Sequence, residues 1–328
     1  MATKDQLKAL IKCHAEGDNE RFYAIAMQVA AQEARSGHGR FAQELRELID
    51  QAKVRREVGP SGGNARPVPV VQPRGELAGL LSVTYPKTRL PDMVLGDAIR
   101  SRLEQVILEQ RQQGRLAEHG FAPLRKLLLV GPPGTGKTMT AATLAGELGM
   151  ALFTIQLDAL ITKFMGETAA KLRLIFDAIR ETRAAYFFDE FDAVGGDRGS
   201  KNDVGEIRRV LNSFLQFLEQ DSSQSLIVAA TNHVGLLDRA LFRRFDAVVD
   251  YALPTSAVAL TVIRARLASL NVDAVSWKMV ATAARGLSHA ELVKASDQAA
   301  KNAILSQTTR IETKMLTAAL RERQEAKR

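Results

Sequence analysis

One eight-residue segment constrains this chain more than any other feature. Gly131 to Thr138 reads GPPGTGKT, between an apolar run at 126–130 and a helical pattern that starts at Met139. Glycines in this pattern let backbone N–H groups turn inward at the start of a helix, where they bind phosphate oxygens. The spacing therefore predicts a phosphate-binding loop, with Lys137 reaching the β and γ phosphates and the Thr138 hydroxyl ligating Mg²⁺.

Short apolar runs alternate with amphipathic helical patterns through the middle of the chain. The runs lie at 126–130, 151–155, 184–188, 225–230 and 247–251. Such alternation predicts a parallel sheet with helices on both faces. Only helical patterns follow Pro254, and they lie near 255–270, 275–285, 289–306 and 311–325. The expected fold class is α/β, a P-loop NTPase core with a C-terminal helical lid.

The beginning of the chain has a different pattern. Apolar residues at helical spacing predict three short helices, which together form a small all-α bundle over 1–57. The stretch 58–85 is rich in Gly and Pro, so we expect a flexible linker there. The expected domains are therefore the N-terminal bundle, this linker, an α/β core over 86–253 and a helical domain over 254–328.

Composition excludes several classes of protein. The chain has 328 residues, 46% of them hydrophobic, and no apolar run approaches the roughly 18–20 residues that a membrane span needs. Charged residues interrupt the first ten positions, where a secretory signal needs an apolar stretch, and the only cysteine is Cys13. These features predict a cytoplasmic protein without membrane insertion or structural disulfides.

The net charge of +8 raises the question of nucleic acid binding. Most of the excess lies in residues 253–328, which hold 12 basic and 6 acidic side chains on predicted helices. Basic residues on helices usually form a solvated face, so nucleic acid is not the expected partner. The basic lid nevertheless keeps a DNA-handling ATPase open as an alternative.

Polar residues follow two further strands of the predicted sheet. Asp189 and Glu190 end the run at 184–188, which places both carboxylates at the carboxyl edge of a parallel sheet beside the phosphate loop. Asp189 suits the Mg²⁺ shell, and Glu190 suits polarisation of an attacking water. Asn232 follows the run at 225–230, where its amide is placed to hold that water or the γ-phosphate, although a helix-capping role is the alternative.

Two adjacent arginines precede the last strand. Arg243 and Arg244 carry guanidinium groups that match phosphate oxygens, and arginines supplied in trans raise phosphoryl-transfer rates by about 10³–10⁵. Surface ion pairs are the alternative interpretation of this pair.

Taken in order, these motifs resemble AAA-type ATPases of the AAA+ superfamily. The motifs, spread over about 90–325, are GPPGTGKT, YFFDE, AATN, LDRALFRRFD and GLSHAEL. The resemblance implies ATP with Mg²⁺ bound between the α/β core and the lid of one subunit. It also implies a homo-oligomeric ring, usually a hexamer, in which arginines of one subunit complete the site of the next.

The resemblance also assigns residues. The expected catalytic set is Lys137, Asp189, Glu190, Asn232 as first sensor, and Arg243 and Arg244 as arginine fingers, with Thr138 and Asp189 on the metal. Many relatives space the two arginines three residues apart, so which one reaches the neighbouring γ-phosphate stays open. The expected nucleotide-binding residues are Pro132, Pro133, Gly134, Thr135, Gly136, Lys137, Thr138 and Met139, with an adenine pocket of Val94, Leu95, Ile263, Arg266, His289 and Ala290.

The segment at 163–167 resembles the pore loop of protein-translocating members. Phe164 and Met165 provide non-specific apolar contacts to a polypeptide, and Gly166 lets the loop move. A hydrophobic staple feeding the helix at Thr168 is the alternative.

These features favour an ATPase that remodels or unfolds a protein substrate, docked by the N-terminal bundle. A nucleotide-gated scaffold that controls a separate effector is a second possibility, and the DNA-handling ATPase is a third. The sequence names neither the substrate nor the partner of the bundle.

Overall fold

A computed structural model describes residues 75–156, 165–190, 201–232, 242–308 and 310–326, together with residues 26, 27, 29, 30, 43, 73 and 160. Residues 165, 166 and 201–209 are described as backbone only. The chain divides into two compact units, Met1–Pro67 and Val68–Arg328. The predicted N-terminal bundle lies almost entirely outside the described residues, so it stays a prediction.

The second unit contains six strands and nine α-helices among the described residues. The strands are β1 Leu81–Thr84, β2 Lys126–Val130, β3 Leu152–Ile155, β4 Ala185–Phe188, β5 Leu226–Thr231 and β6 Ala247–Asp250. The helices are α1 Asp97–Arg111, α2 Gln113–Glu118, α3 Lys137–Leu148, α4 Met165–Glu181, α5 Lys201–Gln220, α6 Ser256–Arg266, α7 Trp277–Ala283, α8 His289–Leu305 and α9 Thr313–Glu325. Two short 3-10 helices span Gly75–Gly79 and Leu90–Asp92.

The strands form a single sheet in the order β1-β3-β4-β5-β2-β6. All neighbours pair in parallel except β1, which is antiparallel to β3. The predicted α/β class with a parallel-dominated sheet is therefore confirmed. Because β2 lies between β5 and β6, the loop after β2 stands at the carboxyl edge of the sheet with a strand on either side.

The prediction of a flexible linker is wrong for residues 75–84. Gly75–Gly79 is a 3-10 helix, and β1 extends the sheet by pairing Leu81 with Ile155 and Thr84 with Leu152. Leu81 is 5% exposed and belongs to the main core. Glycine and proline content alone indicated a linker, but hydrogen bonds to the edge of β3 and leucine burial stabilise a strand that has only four residues.

Helices cover both faces of the sheet. On one face, α4 and α5 pack against the strands through an aromatic cluster in which the Phe176, Phe188 and Phe214 rings lie 4.9–6.2 Å apart. On the other face, α1 and α3 pack against alternate strand residues such as Leu127 and Leu129. The central strands are thus buried on both sides, as the continuous apolar runs predict.

The last four helices, α6 to α9, form a separate apolar cluster and match the four predicted helical patterns. Their starts are marked by side chains that accept backbone hydrogen bonds: Thr255 from Val258 N, and Ser288 from Glu291 N. Such caps are typical of helix starts. None of the helices that the structure describes combines the length and the apolar character that a bilayer crossing demands.

Candidate active site

The loop between β2 and α3 requires glycine where it leaves the strand. Gly131 has φ of 139°, and a Cβ on it would lie 2.1 Å from the backbone oxygen of Tyr251 at the end of β6. Gly134 has φ of 73°, and a Cβ there would lie 2.7 Å from the Ser288 hydroxyl oxygen of the lid. The glycines thus allow the loop to pass between the last strand and the lid.

Lys137 begins α3 and is 6% exposed. Its Nζ donates to the carbonyl oxygens of Gly131 at 2.7 Å and Pro132 at 2.8 Å. The Thr135 hydroxyl also donates to the Pro132 carbonyl, at 2.8 Å. The ammonium is therefore held by the loop backbone, and its contact with phosphate oxygens stays a prediction.

The two predicted metal ligands lie together. Thr138 is the second residue of α3, Asp189 follows β4, and the Thr138 hydroxyl donates to Asp189 Oδ2 at 2.9 Å. Mg²⁺ commonly takes one or two protein oxygens, several waters and substrate phosphates. This pair fits such a site, and its role as metal ligands stays a prediction. Mg²⁺, when bound, neutralises charge on the β and γ phosphates.

Glu190 stands in a strained conformation beside this pair. Its φ is 49°, in the left-handed region that side chains other than glycine rarely adopt, and its backbone N–H donates to Asp189 Oδ1 at 2.9 Å. Such strain costs about 1–3 kcal/mol and concentrates at functional sites. The Glu190 side chain is exposed, and its role in polarising a water stays a prediction.

Asn232 lies on the same edge of the sheet. It follows Thr231, the last residue of β5, and the Thr231 carbonyl accepts from Gly131 N at 3.3 Å. The structure thus brings the phosphate loop, both acids and the predicted first sensor to one edge. A parallel sheet produces this convergence because its strands end on the same side.

The lid docks directly on the phosphate loop. Ala290 N, in the first turn of α8, donates to the Gly134 carbonyl at 3.0 Å. His289 precedes it, and neither of its buried ring nitrogens reaches a described partner at hydrogen-bonding geometry. Burial lowers the pKa of His289, an effect that the Val94 backbone offsets in part. An imidazole whose buried nitrogens lack a partner at good hydrogen-bonding geometry, beside the loop, fits a site that takes a polar ligand.

The remaining adenine-pocket residues are divided between three environments. Val94 packs against the lid cluster, whereas Leu95 packs against the sheet on the side of α1. Ile263 is fully buried inside the lid. The Arg266 guanidinium is exposed and paired with Asp297 of α8. Of the six predicted pocket residues, the structure thus brings Val94, His289 and Ala290 together and engages Leu95, Ile263 and Arg266 elsewhere.

The other predicted phosphate-loop residues lie where the pattern places them, between β2 and the first turn of α3. They are Pro132, Pro133, Gly136 and Met139.

The predicted pore residues lie at the start of α4 or outside the described residues. Phe164 lies outside the described residues, while Met165 and Gly166 are the first two residues of α4. Their contact with a polypeptide stays a prediction.

Arg243 and Arg244 lie at the other end of the sheet. The register pairs Leu127 with Ala247 and Val130 with Asp250, so the arginines lie just before the strand that runs beside β2. The phosphate loop begins after Val130, at the far end of both strands. Arg244 Nε donates to Glu219 Oε2 at 3.2 Å, a surface ion pair of the kind that the alternative interpretation of the two arginines expects.

The fold and this site define a P-loop ATPase with a helical lid. Residues 127–253 match the profile of the ATPase family associated with various cellular activities (AAA). An uncharacterized AAA family ATPase of Sinorhizobium fredii, y4kL, is 31% identical over 322 residues, which cover 98% of this chain and 96% of that protein. The chain therefore belongs to the AAA family of ATPases.

Other similar proteins share only part of their length with this chain. The ATP-dependent zinc metalloprotease FtsH 3 of Sphaerobacter thermophilus is 32% identical over 238 residues, 69% of this chain and 48% of that protein. FtsH of Acidimicrobium ferrooxidans is 32% identical over 70% of this chain and 38% of its own length. The FIGL-1 AAA domain shares the fold, with a TM-score of 0.59, 22% identity and coverage of 75% of this chain and 89% of that chain.

Proposed function

We propose that this AAA ATPase works as a homo-oligomeric ring, a hexamer, in which ATP hydrolysis at shared sites drives the remodelling or unfolding of a protein substrate. The position of Arg243 and Arg244 is the observation that carries this proposal. ATP and Mg²⁺ bind at the loop, Glu190 polarises the attacking water and Asn232 orients it.

The arginines are too far from the phosphate loop of their own subunit to act there. The five residues of β2 separate the two ends of the sheet, and at about 3.3 Å per residue this amounts to roughly 16 Å. One side chain does not span that distance. An arginine that serves a γ-phosphate must therefore serve the site of another subunit, which explains why the chain needs an oligomer.

A protein substrate is supported by the relatives and by the sequence. The FtsH relatives are named proteases, which act on polypeptides, and the aligned part contains their ATPase motifs. The segment with Phe164 directly precedes α4, and the apolar pair Phe164 and Met165 suits contact with a polypeptide. Residues 1–57 are proposed to dock the substrate or an effector.

The mass of the Glu190→Gln protein, measured by light scattering with and without ATP, tests the shared site. Removing the base should trap bound ATP, so we expect growth from a small species to about six subunits on adding ATP. An unchanged mass of one subunit, despite bound ATP, would contradict the ring and favour the nucleotide-gated scaffold.

The protein substrate needs a separate test. Casein, an unstructured protein, should stimulate ATP turnover in the parent, and Phe164→Ala should remove the stimulation while leaving basal turnover intact. Phe121→Ala is the matched control, because Phe121 is also aromatic and is 67% exposed. Equal stimulation in the parent and both variants would argue against a gripping role for Phe164.

A further inference from the structure

Tyr251 contacts the start of the phosphate loop, although no motif in the sequence marks it. It directly follows β6 and is almost completely buried, with 1% of its surface exposed. Its N–H donates to the Val130 carbonyl at 2.7 Å, and its own carbonyl occupies the space that a side chain on Gly131 would need. The Tyr251 backbone therefore fixes the point where the chain leaves β2 and enters the loop.

The side chain of Tyr251 is connected to the other end of the loop. Its hydroxyl oxygen lies 2.5 Å from the hydroxyl oxygen of Thr140, in the first turn of α3. The Thr140 hydroxyl donates to the Gly136 carbonyl at 3.1 Å, so the hydrogen between the two hydroxyls comes from Tyr251. Burial raises the pKa of Tyr251 to about 12, and the hydroxyl therefore keeps this hydrogen at neutral pH.

This chain of hydroxyls ends on a glycine whose conformation is easily changed. Gly136 has φ of 106°, a region that glycine enters and leaves at little cost. Its carbonyl accepts the first hydrogen bond of α3, from Thr140 N at 2.8 Å. The Thr140 hydroxyl adds a second bond to the same carbonyl, and Tyr251 ties that hydroxyl to the end of β6.

The direction of the Gly136 carbonyl also decides where the next N–H points. In a planar trans peptide the C=O and the N–H point in opposite directions. Holding the Gly136 carbonyl towards Thr140 therefore turns the Lys137 N–H away from Thr140. Backbone N–H groups in this part of such a loop are the ones that bind phosphate oxygens.

We infer that Tyr251 is a positioning residue for the phosphate loop, which it holds, together with Thr140, in the phosphate-binding conformation before the nucleotide arrives. A loop that is already ordered loses less conformational freedom on binding, and its affinity for the ligand is higher for that reason. Tyr251 acts through Gly131 and Gly136 rather than by touching the nucleotide. The inference rests on the binding of ATP at this loop, as proposed above.

Removing the hydroxyl groups one at a time tests the inference. Tyr251→Phe should raise the Kd for ADP with Mg²⁺ by about 3- to 5-fold, because Thr140 loses the partner that orients its hydroxyl. Thr140→Val should raise the Kd by about 10-fold, since the bond to Gly136 is lost as well. Thr140→Ser keeps the hydroxyl and should retain the affinity of the parent. Isothermal titration calorimetry on the whole chain measures each Kd.

Tyr186→Phe is the matched control. Tyr186 is also fully buried, and its hydroxyl donates to the carbonyl oxygens of Ala178 at 2.8 Å and Thr182 at 3.1 Å. This substitution also removes a buried hydroxyl, but one that joins β4 to α4 rather than to the phosphate loop. We expect the free energy of unfolding to fall by a similar amount to that in Tyr251→Phe, while the Kd for ADP stays at the parental value.

The double variant Tyr251→Phe/Thr140→Val separates positioning from stability. Thr140→Val alone leaves the Tyr251 hydroxyl buried without its acceptor, so this variant should unfold at a lower urea concentration than the parent. Removing both hydroxyls should recover most of that stability. The Kd for ADP should stay as high as in Thr140→Val, because both changes break the same chain of contacts. A pair that only stabilised the fold would show affinity and stability changing together.

Three results would overturn the inference. They are a parental Kd in both Tyr251→Phe and Thr140→Val, a Kd raised as much in Tyr186→Phe as in Tyr251→Phe, and a recovery of affinity together with stability in the double variant. If Thr140→Val does not fold, the comparison of Tyr251→Phe with Tyr186→Phe decides the question.

Failure of the proposed function would look different. Normal nucleotide affinity in Lys137→Ala would mean that the nucleotide does not bind at this loop at all. Loss of binding in Lys137→Ala, with a parental Kd in Tyr251→Phe, would leave the loop assignment standing and reject only the positioning role of Tyr251.

Discussion

Gly131 and Gly149 show how the surroundings of a residue decide what a substitution costs. Both have positive φ, 139° and 63°, so any side chain at either position is strained. Beside Gly131 the Tyr251 carbonyl occupies the space that a Cβ needs, whereas nothing lies within 4 Å of a Cβ on Gly149. Backbone strain and steric overlap are therefore separable in this protein.

We expect Gly131→Ala to lower the free energy of unfolding by roughly 3 kcal/mol or more, since strain and overlap add. Gly149→Ala, the control, should cost about 1–2 kcal/mol from strain alone. Urea unfolding of both variants measures the difference. Equal losses would show that β6 moves away from the loop without cost.

We expect one residue, His289, to make the stability of the folded protein depend on pH. Burial lowers the pKa of its ring below the ordinary value of 6.5, so the folded protein binds this proton less readily than the unfolded chain does. Protonation near and below pH 6.5 therefore favours unfolding. We expect the Tm to fall between pH 7 and pH 5, and His289→Gln to lessen that fall.

The control for this prediction is His119→Gln, because His119 is an exposed side chain after α2. Thermal unfolding at both pH values should show the same acid sensitivity in this variant as in the parent. An unchanged fall in His289→Gln would assign the acid sensitivity to other groups.

At the scale of elements, four charged residues connect α5 to β2 through hydrogen bonds and an ion pair. This basal cluster consists of Arg125, Lys126, Asp221 and Asp246. Burial lowers the pKa of Lys126, and the charge of Arg125 lowers it further, while Asp221 and Asp246 oppose the shift. The buried Asp221 carboxylate thus compensates the charges of the half-buried Arg125 and the buried Lys126. The attachment of α5 to β2 therefore depends on each of these charged residues.

Asp221→Asn should lower the free energy of unfolding by about 3–5 kcal/mol, because it leaves Arg125 and Lys126 without their buried counter-charge. Asp177→Asn, which breaks the exposed pair with Arg180, should cost at most about 1 kcal/mol. Urea unfolding distinguishes the two. Similar small losses would mean that solvent reaches the base of the sheet.

At the scale of the whole molecule, the proposed nucleotide site lies where the α/β core meets the lid. Within the described residues, a single backbone hydrogen bond joins the core to the lid there, from the first turn of α8 to Gly134. A ligand that contacts both parts therefore stabilises the folded state by mass action. Binding and folding are coupled through this boundary.

ADP at 100 times its dissociation constant should raise the free energy of unfolding by about 2.7 kcal/mol. Lys137→Ala should abolish nucleotide binding and with it the increase in Tm, because the ammonium that meets the phosphates is lost. Thermal unfolding with and without ADP checks this. A normal ATP affinity in Lys137→Ala would contradict the assignment of the phosphate loop.

Local sequence patterns predict the α/β core and most of the candidate site. The spacing of the glycines with Lys137 and Thr138, the carboxylates Asp189 and Glu190 after a strand, and four lid helices followed from local patterns. Local patterns suffice there because loop geometry, strand burial and helix capping depend on neighbours in the chain. The family membership followed from the order of these motifs.

The remaining features depend on contacts between segments that are distant in the chain. β1 exists because β3 offers an unpaired edge and the core accepts Leu81, and both lie far from it in the chain. The Glu219–Arg244 pair and the buried ring of His289 likewise depend on elements that meet only after folding. Contacts between distant segments leave no periodic signal in a single sequence, so charge, burial and pairing at these positions are set by packing.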